Sequence, residues 1–182
     1  VSRETFEKYN VAAMPLPENL DDDLSGRPNL YQRQCQISAD VTEDEWRMAR
    51  TCYYGRVTEL DAEFARLMQH LESTGALSDT LVIVTADHGR YVGTHGWDAH
   101  NFGPFEEIYR IPLIVGGPGI AAGAETDAHV SLIDLCPTLL ELTGSEAIDV
   151  PDSKSIAPLL TNPCEHEANF QTAYGEYHGT RF

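Results

Sequence analysis

One short apolar run restricts what this chain can fold into more than any other feature. The run is Leu81-Val82-Ile83-Val84-Thr85-Ala86, with no charged residue. A run of this length, rich in β-branched residues, is typical of a strand buried on both faces, and it indicates a central strand of a parallel sheet. A second run, Ile111-Pro112-Leu113-Ile114-Val115, predicts another strand of the same kind. The predicted fold class is therefore α/β, with a parallel sheet.

A long amphipathic helix is predicted before the first strand. Thr42 and Glu45 have the T-x-x-E spacing of a capping box, and Gly75 is a typical helix stop. Between them, apolar residues recur every three or four positions, which we interpret as a core-packing face. These residues are Trp46, Ala49, Tyr53, Val57, Leu60, Phe64, Met68 and Leu71. Residues 1–41 show no sustained period and predict an irregular segment, so that the α/β part spans 42–182.

These elements are too few for a closed α/β core. Parallel strands need neighbours on both edges and helices on both faces. We therefore expect the sheet to be incomplete in this chain, with further strands outside the 182 residues.

The charge balance excludes one class of partner. The chain has 29 Asp and Glu residues against 12 Lys and Arg residues, a formal net charge of -17. Nucleic acid is excluded, because phosphate contacts need clustered Lys and Arg. An anionic substrate would need local positive charge, which a bound divalent cation supplies. No apolar run reaches the length of a membrane span. The sequence is compatible with a homo-oligomer, and the cysteine spacing leaves a cytoplasmic or a periplasmic location open.

Polar residues directly after the first strand form the candidate site. Asp87-His88-Gly89 follows the strand, and His95 and His100 lie in the same loop. Ligands of open α/β sheets bind beyond the carboxyl ends of the strands, where a carboxylate and an imidazole can reach a cation. Asp and Gly are also common turn residues, so that the triplet has a second interpretation as a simple strand end. The chain contains no G-x-S-x-G, P-loop or H-E-x-x-H motif.

Four segments taken together resemble the sulfatase family of the alkaline-phosphatase-like superfamily. They occur in the family's order, and a further segment, 152–160, resembles another family motif. The four segments are Tyr53–Asp61, Thr80–Gly89, Phe105–Val115 and Val130–Gly144. The resemblance identifies residues 1–182 as the C-terminal part of a sulfatase catalytic domain, with half of its metal site. It also implies the α/β fold of that superfamily, with a doubly wound, mostly parallel sheet that is incomplete in this chain.

The resemblance also implies the roles of individual residues. A calcium ion is expected in the active site, with Asp87 and His88 as two of its ligands. His95, in a G-T-H-G sequence, matches a family histidine near the site, and it is expected to act in catalysis with His100. The family's sulfate-binding lysine is absent. Counting forward from Asp87 puts His100 at its position, and counting back from the Phe105 segment puts Asn101 there, so both are predicted to bind substrate.

The nucleophile implied by the resemblance is a formylglycine made from the Cys or Ser of a C/S-x-P-x-R motif. These 182 residues contain no such motif. At Cys136 the proline follows directly, without the intervening residue that the motif requires. We expect the nucleophile upstream, and we expect this chain to be a fragment that is inactive alone. The expected function is hydrolysis of a small-molecule sulfate ester. The alternatives are a phosphonate monoester or phosphodiester hydrolase, and a non-catalytic fragment.

Overall fold

Helices dominate the computed structural model, which describes residues 1–99 and 102–173. The α-helices are α1 Arg3–Phe6, α2 Asn29–Ile37, α3 Glu43–Thr74, α4 Glu106–Tyr109, α5 Leu135–Leu142, α6 Ala157–Thr161 and α7 Pro163–His166. The strands are β1 Val82–Thr85 and β2 Leu113–Gly116. Short 3-10 helices occupy Val11–Ala13, Ala76–Asp79, Thr94–Gly96, Leu132–Asp134 and Glu167–Asn169.

The described residues divide into two compact units. Unit 1 comprises Val1–Gly75 and the described part of 88–111, and unit 2 comprises Ala76–Asp87 and residues 112–173. The segment 1–41 and helix α3 therefore belong to the same unit. No helix among the described residues is long and apolar enough to cross a membrane.

Helix α3 begins and ends where the sequence predicts. The capping box is formed, because Thr42 Oγ1 accepts from the Glu45 backbone N–H at 3.3 Å and Glu45 Oε2 accepts from the Thr42 N–H at 2.8 Å. Gly75 closes the helix with a left-handed φ of 77°, which a residue with a Cβ adopts only at a cost.

The apolar stripe of α3 is only partly a core face. Trp46 is buried, but Tyr53, Val57 and Leu60 are 42%, 51% and 63% exposed. The prediction of core packing is therefore wrong for much of the stripe in the described structure. The physical reason is that the residues packed on α3, such as Tyr9, whose Oη lies 2.6 Å from Thr58 Oγ1, leave these apolar side chains largely open to solvent.

The sheet pairs its two strands in the opposite sense to the prediction. β1 and β2 are antiparallel, with Val82 opposite Gly116 and Thr85 opposite Leu113. The prediction of a parallel pair is wrong, because a continuous apolar run reports burial and carries no information on strand direction. Burial was also overestimated, since β1 is half-buried along Val82–Val84 and exposed at Thr85.

The core of unit 1 draws on the segment that the sequence predicted to be irregular. Four residues that are at most 3% exposed form its centre, and five partly buried residues pack against them. The centre is Leu24, Tyr91, Trp97 and Ile108, and the surrounding residues are Tyr31, Cys35, Ala99, Phe102 and Phe105. The prediction for 1–41 is wrong at α2, a nine-residue helix without a side-chain N-cap. Such a helix depends on tertiary contacts such as that between the rings of Tyr31 and Trp97, 5.9 Å apart.

Unit 2 is held together by a buried aspartate. Asp134 accepts hydrogen bonds of 2.8 Å from the backbone N–H groups of Ser131 and Lys154. One helical turn later, Thr138 Oγ1 accepts from the Ile156 N–H at 2.9 Å. These bonds join the start of α5 to the segment before α6, whose Ile156 is fully buried.

Candidate active site

A backbone carbonyl orients the imidazole ring of His88. Asp87 and His88 follow β1 directly; the aspartate is exposed and the histidine is half-buried. His88 Nδ1 lies 2.8 Å from the backbone oxygen of Gly89. A carbonyl oxygen only accepts, so Nδ1 is the donor in this contact. A backbone carbonyl on one ring nitrogen is a common way to orient the other toward a metal.

Gly89 fixes the backbone immediately after the Asp-His pair. Its N–H donates to the backbone oxygen of Ile108 at 2.9 Å, and a Cβ at this position would overlap the carbonyl of Glu107. Only glycine allows the two backbones to approach this closely. The D-H-G triplet is therefore anchored to the start of α4 through its third residue.

Asp87 and His88 fit as part of a metal site. A carboxylate oxygen and an imidazole nitrogen are both ordinary metal donors. Over residues 1–99 and 102–173, however, no three His, Cys, Asp or Glu side chains form a group that could hold an ion. The described part of the chain thus offers two donors and not a complete coordination shell.

His95 lies at the tip of a loop that folds back on itself. The Tyr91 N–H donates to the Ala99 oxygen at 3.1 Å, and the Gly93 N–H donates to the Trp97 oxygen at 2.9 Å. His95 sits between these pairs with a left-handed φ of 56° and is only 8% exposed. A buried non-glycine residue in this conformation must be held by its surroundings.

Polar groups from distant parts of unit 1 hold the His95 ring at both nitrogens. Nδ1 donates to Asp22 Oδ2 at 2.8 Å. Nε2 lies 3.4 Å from Asn19 Nδ2 and 3.5 Å from Glu107 Oε1. The Asn19 amide also donates to Glu107 Oε1 at 3.3 Å, so that the three partners form one connected group.

Asp22 is the electrostatic anchor of this group. The backbone N–H of Leu24, and then the His95 side chain, lower the pKa of Asp22 below its ordinary value of 3.8. Both hydrogen bonds favour the charged carboxylate, because an ionised oxygen is the stronger acceptor. Asp22 is therefore an acceptor for His95 throughout the neutral pH range.

Aromatic rings and a thiol close the apolar side of the loop. The Phe105 ring centroid lies 4.6 Å from that of His95. Trp97 is fully buried, and its Nε1–H donates to Cys35 Sγ at 3.1 Å. The Cys35 thiol in turn lies 3.7 Å from the backbone oxygen of His95. Helix α2 thus contacts the loop through Cys35, which accepts from a buried indole, and through the ring of Tyr31.

Comparison with known proteins decides the family. The sequence model of the Sulfatase family matches residues 17–145. The chain is 37% identical to choline-sulfatase of Rhizobium meliloti (strain 1021) over 157 residues, which are 82% of this chain and 29% of that protein. It is 35% identical to arylsulfatase K of Danio rerio over 144 residues, 78% of this chain and 27% of that protein. This chain belongs to the sulfatase family.

A solved structure supports the same assignment for the fold. The phosphonate monoester hydrolase SpPMH from Silicibacter pomeroyi is similar with a TM-score of 0.75 and 31% identity, over 84% of this sulfatase-family chain and 33% of that one. The predicted fold class, α/β of the alkaline-phosphatase-like kind, is confirmed, with an incomplete two-stranded sheet in the described residues. The chain spans less than a third of the length of the curated relatives named above.

The structure of this sulfatase-family chain brings together some of the predicted residues and adds others. Asp87 and His88 are adjacent in sequence, and His95 lies at the loop tip with partners that the sequence analysis missed. Those partners are Asn19, Asp22 and Glu107. Glu107 belongs to a family-like segment, whereas Asn19 and Asp22 precede the family-like segments and gave no local signal. His100 and Asn101 lie outside the described residues.

Proposed function

We propose that the polypeptide carrying this chain hydrolyses the sulfate ester of a small molecule, with Asp87 and His88 as two ligands of a divalent cation, Ca²⁺. The observation that carries the proposal is the Asp-His pair directly after β1 within the sulfatase-family match. The contact of His88 Nδ1 with the Gly89 carbonyl supports it, because a contact of this kind commonly orients the ring of a ligating histidine.

Each of the two ligands has a distinct part in this proposal. The Asp87 carboxylate supplies negative charge and oxygen donors, which Ca²⁺ prefers, and His88 supplies a neutral nitrogen. When bound, the cation would neutralise charge on the non-bridging oxygens of the ester. The nucleophile is proposed to be a formylglycine outside these 182 residues, because the sequence printed here has no C/S-x-P-x-R motif.

The three remaining predicted residues have two kinds of role. We propose that His100 binds a sulfate oxygen, with Asn101 as the alternative residue at the same position. We also propose that His100 can protonate the leaving oxygen. A catalytic role for His95 stays a prediction. His95 is buried and both of its ring nitrogens have polar neighbours, which favours an indirect role in which it holds residues 91–99 in place.

Hydrolysis of a phosphonate monoester is the second candidate function. The likeness to the phosphonate monoester hydrolase from Silicibacter pomeroyi favours it, at 31% identity. Sulfate and phosphonate monoesters both present a tetrahedral centre with anionic oxygens, so an Asp-His-bound cation serves either. The absence of a lysine between Asp87 and Phe105 removes the residue that we expected to favour sulfate.

Substrate competition separates the two candidates. The native full-length polypeptide would be assayed with p-nitrophenyl sulfate and with the p-nitrophenyl monoester of phenylphosphonate, and kcat/KM compared. The proposal expects the sulfate ester to be favoured by at least about tenfold, a difference of about 1.4 kcal/mol in transition-state stabilisation. A preference for the phosphonate ester would establish the second candidate, and turnover of neither ester would overturn both.

A further inference from the structure

A cleft on unit 1 gathers arginine side chains in an otherwise acidic chain. A cavity of about 210 Å³ lies between α3 and the segment 90–94, and a neighbouring cavity of about 400 Å³ shares part of its wall. The smaller one is lined by Arg50, Tyr53, Tyr54, Arg90, Val92 and Thr94, and the larger one adds Arg56. Three of the chain's 12 Lys and Arg residues thus meet at one surface, against a net charge of -17.

Two buried polar atoms at this cleft lack a hydrogen-bond partner among the described residues. They are Arg50 Nε and Thr94 Oγ1. A buried donor without a partner is uncommon in native structures and calls for an explanation, such as a bound molecule. Because both atoms belong to residues that line the same small cavity, one bound group can satisfy both.

The Arg50 guanidinium is already oriented by its other contacts. Its Nη1 donates to the backbone oxygen of Val92 at 2.9 Å, and its central carbon lies 6.0 Å from the centre of the Tyr54 ring. These contacts do not involve the edge of the guanidinium formed by Nε and Nη2. That edge can bind two oxygens of one carboxylate or sulfate group at the same time. The side chain therefore needs little reorganisation to bind an anion.

Arg50 also carries the least compensated positive charge of the cleft. Arg90 pairs with Asp98 at 2.9 Å, and Arg56 pairs with Glu59 at 3.0 Å. Within residues 1–99 and 102–173, Arg50 has no carboxylate at ion-pair distance. A cation that is partly withdrawn from water and lacks a counter-ion favours an anionic ligand.

We propose that this cleft binds an oxyanion, a sulfate or carboxylate group, between Arg50 Nε and Thr94 Oγ1, with Arg90 as a second cation. The tyrosines at its wall, Tyr53 and Tyr54, are more than two-fifths exposed and can rotate to admit the ligand. This is an equilibrium binding site, and it stands whether or not the polypeptide hydrolyses sulfate esters.

The test is a nuclear magnetic resonance titration of the arginine Nε–Hε signals of the native full-length polypeptide. Sodium sulfate and, separately, sodium acetate would replace sodium chloride at constant ionic strength. The Arg50 signal, assigned by its disappearance in Arg50→Lys, is expected to shift saturably with a Kd on the order of 1 mM. The signal of Arg66, an exposed arginine of the same helix paired with Glu63, is expected to stay in place.

Two variants make the test specific to the proposed donors. Thr94→Val keeps the side-chain shape without the hydroxyl and is expected to weaken binding about three- to tenfold, whereas Thr94→Ser should retain it. Tighter binding of sulfate than of acetate would identify a sulfate group as the ligand. Tighter binding of acetate would identify a carboxylate. The proposal is overturned if neither ion shifts the Arg50 signal saturably, or if Arg66 shifts equally. Because the wild-type titration does not depend on Thr94→Val, it decides the matter even if that variant fails to fold.

Discussion

Asp22 accepts a hydrogen bond of 2.8 Å from Nδ1 of the buried His95, a residue 73 positions further along the chain. This bond joins the segment before α2 to the loop that follows the Asp87-His88 pair. Asn19 reinforces the same connection, since its backbone oxygen accepts from the His95 N–H at 3.0 Å. Residues 19–22 therefore support the shape of the candidate active-site loop.

Removal of the Asp22 carboxylate should destabilise unit 1. Asp22→Ala leaves the Nδ1–H of His95 and the N–H of Leu24 without their acceptor, and we expect a loss of about 1–3 kcal/mol in the free energy of unfolding. Asp23→Ala is the matched control, since Asp23 makes the same kind of local bond, to the Ser25 N–H, but none to His95. Urea denaturation followed by circular dichroism measures both. Equal losses for the two variants would show that the His95 bond contributes nothing.

The Asp22 contribution should depend on pH in a defined direction. The backbone N–H of Leu24 and the His95 side chain lower the pKa of Asp22 below 3.8. Because the folded-state pKa is lower than the unfolded-state one, the stabilisation is complete above the unfolded-state pKa and is lost as pH falls through the folded-state pKa. The stability difference between wild type and Asp22→Asn should therefore be constant near neutrality and shrink below about pH 4. Denaturation curves over this range measure it, and a difference that does not change with pH would contradict the assignment.

A side chain at Gly89 should disrupt the backbone that follows the Asp-His pair. The Cβ of Gly89→Ala would overlap the Glu107 carbonyl, and the forced shift should cost about 1–3 kcal/mol of stability. Gly116→Ala, in β2, is the control, because a Cβ there meets nothing within 4 Å. Thermal unfolding compares the two variants. The close packing of Gly89 is refuted if both leave the melting temperature unchanged.

The Cys35 thiol should matter as an acceptor for Trp97. Cys35→Ala leaves the indole N–H of a fully buried tryptophan without a partner, which should cost about 1–3 kcal/mol. Cys35→Ser retains an acceptor and should cost less, and substitution of the exposed Cys136 by Ser should have no effect. Equilibrium unfolding followed by circular dichroism measures these losses. A Cys35→Ser variant as unstable as Cys35→Ala would argue for packing alone.

Local signals in the sequence were sufficient to predict where the long helix α3 begins and ends. Thr42, Glu45 and Gly75 act on backbone groups within a few residues of themselves, so the bounds of α3 could be predicted from them. Strand β1 could be placed by its apolar run, but its direction depends on the course of the chain between the strands, and the run itself has no such information.

The support of the candidate site could not be predicted, because it is non-local. Asn19 and Asp22 lie in a stretch without periodicity, and their role is visible only once the fold brings them to His95. Helix α2 escaped prediction for a related reason, since Tyr31 and Cys35 face a core whose other members, apart from Leu24, lie more than 50 residues away. The Asp87-His88 pair could be named as a candidate because its signal, two donors after a strand, lies in adjacent residues, and its role as a ligand pair stays a prediction.

Whether His88 binds a catalytic metal is tested most directly by two measurements on the native full-length polypeptide: metal content by elemental analysis, and kcat/KM on an aryl sulfate. Both are made for wild type, His88→Ala and His70→Ala. His70 is an exposed histidine of α3 and serves as the control. We expect wild type and His70→Ala to hold a divalent cation and to hydrolyse the ester. We expect His88→Ala to lose the cation and at least about a hundredfold of the activity. Full metal content and full activity in His88→Ala would show that His88 is not a ligand of a catalytic metal.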